Sequence, residues 1–152
     1  MTELTAPRWD LTNVYPSLDS AEFAADLHKI PQALAQMEND FQTHAAVLGA
    51  ESDPAAIEAA VSRMIEGINS FYDLAGTIRS YIYSFVSTDS YNKAALKIMS
   101  EYEQQMVRAQ QLSVKFESWL GRVGAGVEKS LSLPGPAADH AFYLRETIEQ
   151  SK

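Results

Sequence analysis

The spacing of apolar residues between positions 91 and 120 constrains the fold more than any other feature of this sequence. Apolar side chains recur there every three or four residues, at Tyr91, Ala95, Ile98, Tyr102, Met106, Ala109, Leu112, Phe116, Trp119 and Leu120. This spacing places them on one side of an α-helix. A helix of roughly 30 residues is about 45 Å long. We expect an all-α fold, an elongated hairpin or bundle of long antiparallel amphipathic helices; the spacing is also compatible with a coiled coil.

A first amphipathic segment precedes this helix. Asp19 and Glu22 form a capping-box pattern at its start, and Gly49 predicts its end. Its apolar positions are Phe23, Leu27, Ile30, Leu34, Met37, Phe41 and Leu48. Pro31 removes one backbone hydrogen bond. Since the stripe keeps its phase across Pro31, we expect one kinked helix rather than two helices.

A second segment begins at Asp53, a capping residue followed by Pro54 at the first helical position. Its apolar positions are Ile57, Val61, Met64, Ile65, Ile68, Tyr72, Ala75, Ile78, Ile82 and Phe85. Gly67 and Gly76 lie within it, and each costs roughly 1 kcal/mol relative to alanine. We expect these two glycines to let another helix approach closely.

The C-terminal part is rich in helix-breaking residues. Gly121, Gly124 and Gly126 predict the end of the third helix, and residues 131–136 read as a connector. A last helix is expected from Pro136 onwards. Its pattern reaches Lys152 without a stop signal, so we expect it to continue in a longer polypeptide.

These segments predict two parts of unequal size. Residues 1–18 contain Pro7 and Pro16 and form an irregular N-terminal arm, while residues 19–152 form a helical domain. We expect the rings of Trp9 and Tyr15 to fold back onto the helices, because an exposed aromatic ring forgoes about 1.5–3 kcal/mol of burial.

Composition excludes several classes of function. The net charge of −8 with no basic stripe argues against nucleic-acid binding. There is no cysteine, which excludes disulfides, thiol nucleophiles and thiolate metal sites. No window approaches the roughly 20 apolar residues of a membrane span, and the first residues lack a signal-peptide pattern. We expect a cytoplasmic protein without membrane contact.

No residue of the chain is predicted to be catalytic or to bind a metal. His28, His44 and His140 lack the four-residue spacing that places two imidazoles on one helical face. The carboxylates fall mostly on polar helix faces rather than in pairs suited to acid–base catalysis.

The segment RSYIYSF at 79–85 is the one candidate binding surface. Tyr81 and Tyr83 point away from each other on a helix, so at least one of them leaves the apolar stripe. With Arg79 they are predicted to contact a peptide backbone or, in preference, a neighbouring domain.

Four stretches, in this order and spacing, resemble oligoendopeptidase F, a zinc peptidase family related to thimet oligopeptidase. They are WDLTNVYPS at 9–17, RSYIYSFVSTDS at 79–90, FESWLG at 116–121 and HAFYLRE at 140–146. Val14 departs from the family pattern, in which leucine is expected.

This resemblance implies a protein several times longer, in which helices enclose a deep cleft. A C-terminal H-E-x-x-H helix and a further Glu would bind one zinc ion, whose bound water attacks the peptide bond. This chain lacks that motif. It would form a cleft wall that limits substrates to short peptides, with the catalytic remainder of the polypeptide as its partner. Alone, it would bind no zinc and have no activity.

A second hypothesis is left open by the sequence. The chain would then be a self-contained helical interaction module, acting as a scaffold or as a homodimer through the stripe of the third helix. In that case it would be complete and stable without any metal.

Overall fold

A computed structural model describes residues 10–151, and within this range it contains helices and no β-strand. The helices are α1 (Ala21–Asp40), α2 (Pro54–Thr88), α3 (Lys93–Ser130), α4 (Pro136–Asp139) and α5 (Ala141–Gln150). A π-helical turn, Phe41–Ala45, extends α1. The predicted all-α class is confirmed. None of these helices is long and apolar enough to cross a lipid bilayer.

Helices α1 and α2 are antiparallel neighbours. At one end the ring of Phe23 lies 5.2 Å from that of Tyr81. Further along, Gly67 lies against the side chain of Met37. Residue numbers thus rise along α1 as they fall along α2.

Helices α2 and α3 are antiparallel as well. The hydroxyl of Tyr102 donates a hydrogen bond of 3.1 Å to the carbonyl oxygen of Ala75, whereas Gly126 faces Ile57 near the start of α2. A third antiparallel pair is formed by α3 and α5, because Gly121 meets Ser151 and Glu128 pairs with Arg145. The long helices thus form a bundle, and α5 covers only the C-terminal part of α3.

Most predicted stripe residues form the core of this bundle. The largest fully buried side chains are Trp119, Phe23, Phe71, Phe116, Ile30, Leu34, Ile57, Met64, Ile78, Ile82, Leu120 and Leu144. Two assignments were wrong. Tyr72 is 48% exposed and its neighbour Phe71 takes the core position, while Tyr91 is 88% exposed because it lies in the turn before α3.

The helix starts differ in how well they were predicted. Asp53 caps α2 by accepting from the backbone N–H of Ala55, with Pro54 at the first helical position, as expected. The cap of α1 is Ser20 rather than Asp19, and α1 begins at Ala21. Ser20 accepts from the backbone N–H of Phe23, three residues later, which is the usual capping geometry.

Helix α1 runs without interruption through Pro31, so a single helix is confirmed. It does not continue regularly to Gly49, because the π-helical turn at Phe41–Ala45 closes it. The N-terminal arm is anchored by Tyr15, which is buried. Trp9, the other ring expected to anchor it, lies outside the described residues.

Helix α3 does not end at its glycines, as the sequence had suggested. It continues through them to Ser130 and has 38 residues. A β-carbon at Gly121 would lie 2.7 Å from the β-carbon of Ser151, and one at Gly124 would lie 2.8 Å from Ile148. These glycines therefore allow α5 to pack closely against α3 instead of stopping the helix.

The last helix is also divided. The predicted single helix from Pro136 is interrupted at His140, which separates α4 from α5. Ala137 in α4 and Leu144 in α5 are both buried, so both helices contribute to the core.

A pair of glycine substitutions tests this packing. A β-carbon at Gly126 would lie 2.7 Å from the backbone oxygen of Ala50 and 2.5 Å from Ile57. We expect Gly126→Ala to lower the free energy of unfolding by about 1–3 kcal/mol through overpacking. Gly76 has nothing within 4 Å of the same position, so Gly76→Ala is expected to raise it by up to about 1 kcal/mol. Urea denaturation followed by circular dichroism measures both, and equal effects would contradict the close approach at Gly126.

Candidate functional site

The three residues of the candidate surface separate in the structure. Tyr81 is 4% exposed, whereas Tyr83 is 54% exposed, as expected for side chains two positions apart on a helix. Arg79 is also exposed. The surface therefore consists of Arg79 and Tyr83, and Tyr81 belongs to the core.

Tyr81 lies in an aromatic cluster that joins the arm to the bundle. Its ring centroid is 4.9 Å from that of Tyr15, 5.2 Å from that of Phe23 and 5.1 Å from that of Phe85. Its hydroxyl donates a buried hydrogen bond of 3.0 Å to the backbone oxygen of Tyr15. Since the hydroxyl is satisfied internally, Tyr81 is not available to bind a peptide.

Tyr15 is held by a second hydrogen bond. Its hydroxyl donates to the carboxylate of Asp26 at 2.8 Å, and burial together with this carboxylate raises the pKa of Tyr15 to about 12. Lys29 lies 2.7 Å from the other oxygen of Asp26. The hydrogen bonds from Lys29 and then from Tyr15 lower the pKa of Asp26.

On the surface, Arg79 lies over the ring of Tyr83, with 5.8 Å between the guanidinium carbon and the ring centroid. Tyr72, seven residues before Arg79, is exposed on the same side of α2. None of the carboxylates in residues 10–151 forms an ion pair with Arg79. Arg79 and the two tyrosines thus offer a cation and two hydroxyls to a partner, although the sequence analysis had assigned Tyr72 to the core.

The other two motif stretches differ in burial. Trp119 stacks on Phe116 at 5.8 Å and donates from its indole N–H to the backbone oxygen of Leu48 at 3.3 Å. In the stretch 140–146, Leu144 is buried but Phe142 is 81% exposed.

The described residues do not offer a zinc site. His28 lies on α1, His44 in the π-helical turn and His140 between α4 and α5. Among residues 10–151 no three His, Asp or Glu side chains converge in a way that could hold a metal ion. A zinc ion of the implied family does not fit this part of the chain.

One depression between α1 and α3 was not anticipated. It has a volume of about 280 Å³, and Leu27, Ile30, Pro31, Glu101 and Tyr102 are among the residues that line it. Pro31 has no backbone N–H. The carbonyl oxygen of Leu27, which lies at this depression, therefore lacks its usual helical hydrogen-bond donor. The internal proline was the available sequence signal, but by itself it predicts a kink and not a cavity.

Comparison with known proteins gives no assignment: no protein-family model, curated protein or solved structure matches this chain significantly.

Substitution of single hydroxyls distinguishes the buried tyrosine from the exposed one. Tyr81→Phe leaves the backbone oxygen of Tyr15 without its donor, and we expect the free energy of unfolding to fall by about 1 kcal/mol. Tyr83→Phe, two residues away, is expected to change it by less than about 0.5 kcal/mol. Urea denaturation of both variants checks this, and an equal loss in both would contradict the assignment of Tyr81 to the core.

The Tyr15–Asp26 pair predicts a loss of stability at alkaline pH. The unfolded chain loses the Tyr15 proton near the ordinary pKa of 10.0, whereas the folded chain keeps it to about pH 12. Between these pH values the folded state binds more protons, so the free energy of unfolding falls as pH rises. Tyr15→Phe should have a shallower fall between pH 10 and 12. Parallel curves for Tyr15→Phe and the unchanged protein would contradict the prediction.

Proposed function

We propose that this chain is the N-terminal helical part of a zinc-dependent oligopeptidase, in which it forms a wall of the substrate cleft. The supporting observation is the contact between two of the stretches that resemble oligoendopeptidase F. The first reaches the second through Tyr15 and Tyr81, whose rings are 4.9 Å apart and which share a buried hydrogen bond. Stretches that hold a fold together are expected of a supporting domain rather than of an active centre.

The geometry of the long helices suits the role of a wall. With 35 and 38 residues, α2 and α3 are each more than about 50 Å long. The hydrogen bond from Tyr102 to Ala75 and the close approach of Gly126 to Ile57 hold them side by side. A rigid surface of this length beside an active centre would exclude folded proteins and admit short peptides.

In this proposal the zinc ion and all catalytic groups belong to the remainder of the polypeptide. The chain supplies shape, and its exposed Arg79 and Tyr83 contact either a peptide or the neighbouring domain. A cytoplasmic location is part of the proposal.

The second candidate is a self-contained helical interaction module. A homodimer through the original stripe of α3 is not available, because Tyr102, Leu112, Phe116 and Trp119 are buried within the chain. A dimer could instead use exposed apolar residues of α3, since Val107 is 59% and Val114 is 54% exposed. Analytical ultracentrifugation distinguishes these cases, because a stable dimer of the 152-residue chain favours the module.

The decisive experiment reads the coding sequence beyond codon 152 and expresses its full product. We expect an H-E-x-x-H motif there, a product that contains one zinc ion, and cleavage of quenched fluorescent peptides that the 152-residue chain does not cleave. The 152-residue chain is the matched control for both zinc content and activity. A stop codon directly after residue 152 would refute the proposal.

A further inference from the structure

Helix α5 packs along one side of α3, at Gly121 and Gly124. We call this strip of the α3 surface the lane. As α5 advances from Ile148 to Ser151, its contact on α3 moves back from Gly124 to Gly121. The hydroxyl of Ser151 already reaches the backbone oxygen of Glu117, at 3.5 Å. An open notch of about 440 Å³ lies at this point, so none of residues 10–151 fills the lane beyond Ser151.

Two exposed apolar residues of α3 lie further along this side of the helix. Seven residues are nearly two helical turns, so the side of α3 that carries Gly121 also carries Val114 and Val107. Their side chains are 54% and 59% exposed. Met106, beside Val107, is only partly buried and packs against the core. The face that α5 covers near Gly121 is therefore bare further along.

Helix α4 packs on α2, as α5 packs on α3. Ser62 accepts a hydrogen bond of 3.0 Å from the backbone N–H of Ala137, so this side of α2 faces α4. Residues seven apart lie on nearly the same side of a helix, so Asn69, Gly76 and Tyr83 share the side of Ser62. Tyr83 is 54% exposed. Gly76 and Tyr83 therefore continue the side of α2 on which α4 packs.

Tyr72 and Arg79 lie on the α3 side of α2. Burial raises the pKa of Tyr102 on α3, while the charge of Arg79 lowers it and Tyr72 raises it. Ala75, whose carbonyl oxygen accepts from the Tyr102 hydroxyl, lies three residues after Tyr72 and four before Arg79, so all three residues share one side of α2. We call the surface made by Tyr72, Gly76, Tyr83, Met106, Val107 and Val114 the open groove.

Gly76 differs from the other helical glycines of residues 10–151. The other four helical glycines, Gly67, Gly121, Gly124 and Gly126, each have a close neighbour where a β-carbon would be, and Gly76 has none within 4 Å. A glycine inside a helix costs roughly 1 kcal/mol relative to alanine. Nothing among residues 10–151 approaches Gly76 in a way that accounts for its lack of a side chain.

We propose that the open groove binds an amphipathic α-helix of the same polypeptide, which runs in line with α5 and antiparallel to α3. This rests on the proposed function, which places the chain in a longer polypeptide. The occupant has aliphatic residues against Val107 and Val114, a close backbone approach at Gly76, and a carboxylate facing Arg79. A flexible methionine at the groove floor suits such packing.

Cysteine footprinting tests the proposal, because the chain contains no cysteine. Val107→Cys and Tyr83→Cys place a thiol on each wall of the open groove, and Val47→Cys, at a residue 71% exposed outside it, is the matched control. Each is made in the 152-residue chain and in the full product of the reading frame. Modification by maleimide is read residue by residue from peptide masses, after circular dichroism has shown that each variant folds.

We expect the two groove thiols to react at least about tenfold more slowly in the full product than in the 152-residue chain, because a covered thiol reacts only during local opening. The Val47→Cys thiol should react at similar rates in both. Unchanged groove thiols, or equal slowing at all three positions, would overturn the proposal.

Two further outcomes separate this proposal from others. If the full product carries H-E-x-x-H and cleaves peptides while the groove thiols stay reactive, the proposed function stands and the groove proposal fails. If the 152-residue chain itself protects both thiols at high concentration and sediments as a dimer, the occupant is a second copy, which also overturns the proposal.

Discussion

The close approach of helices at the C-terminal part of α3 determines the rest of the architecture. Gly121 and Gly124 bring α5 against one side of α3, and Gly126 brings α2 and the backbone of Ala50 against another. A helix normally loses stability at each glycine. Here the lost propensity is offset by packing, since Ile148 and Ile57 occupy the space of the missing side chains. Because α5 is seated at this depth, its axis follows α3, and the direction of the lane along α3 is fixed.

The ends of the helices show what could be predicted from the sequence. Asp53 followed by Pro54 identified the start of α2 correctly, because a capping side chain and a proline act within a few residues of backbone. The glycines of α3 led to a wrong prediction of where this helix ends, because glycine both ends helices and permits close contact between them. The sequence gives no distance between α3 and α5, and only that distance distinguishes the two roles. The π-helical turn at Phe41–Ala45 had no sequence signal that we could identify.

The candidate surface shows a similar division. Helical geometry correctly separated Tyr81 from Tyr83, but it could not say that the Tyr81 hydroxyl is bound to the backbone of Tyr15, 66 residues earlier. That contact joins the N-terminal arm to α2 across the bundle. Tyr72 and Phe71 were exchanged because adjacent aromatic residues fit the edge of a stripe almost equally well. Which of them is buried depends on the neighbouring helix, and that is a property of the packed bundle.

Helix α5 covers only the C-terminal part of α3, so a further helix could pack on the remaining part. The uncovered part of α3 begins at Val114, next to Ser151, and Tyr72 and Tyr83 of α2 are exposed as well. A chain that extended this bundle would bury apolar surface immediately, without a new core having to form elsewhere. In the proposed oligopeptidase, a catalytic domain attached along this line would stand beside the antiparallel helices α2 and α3. In that proposal, the helix bound in the open groove would also orient the wall of the cleft relative to the domain that this helix carries.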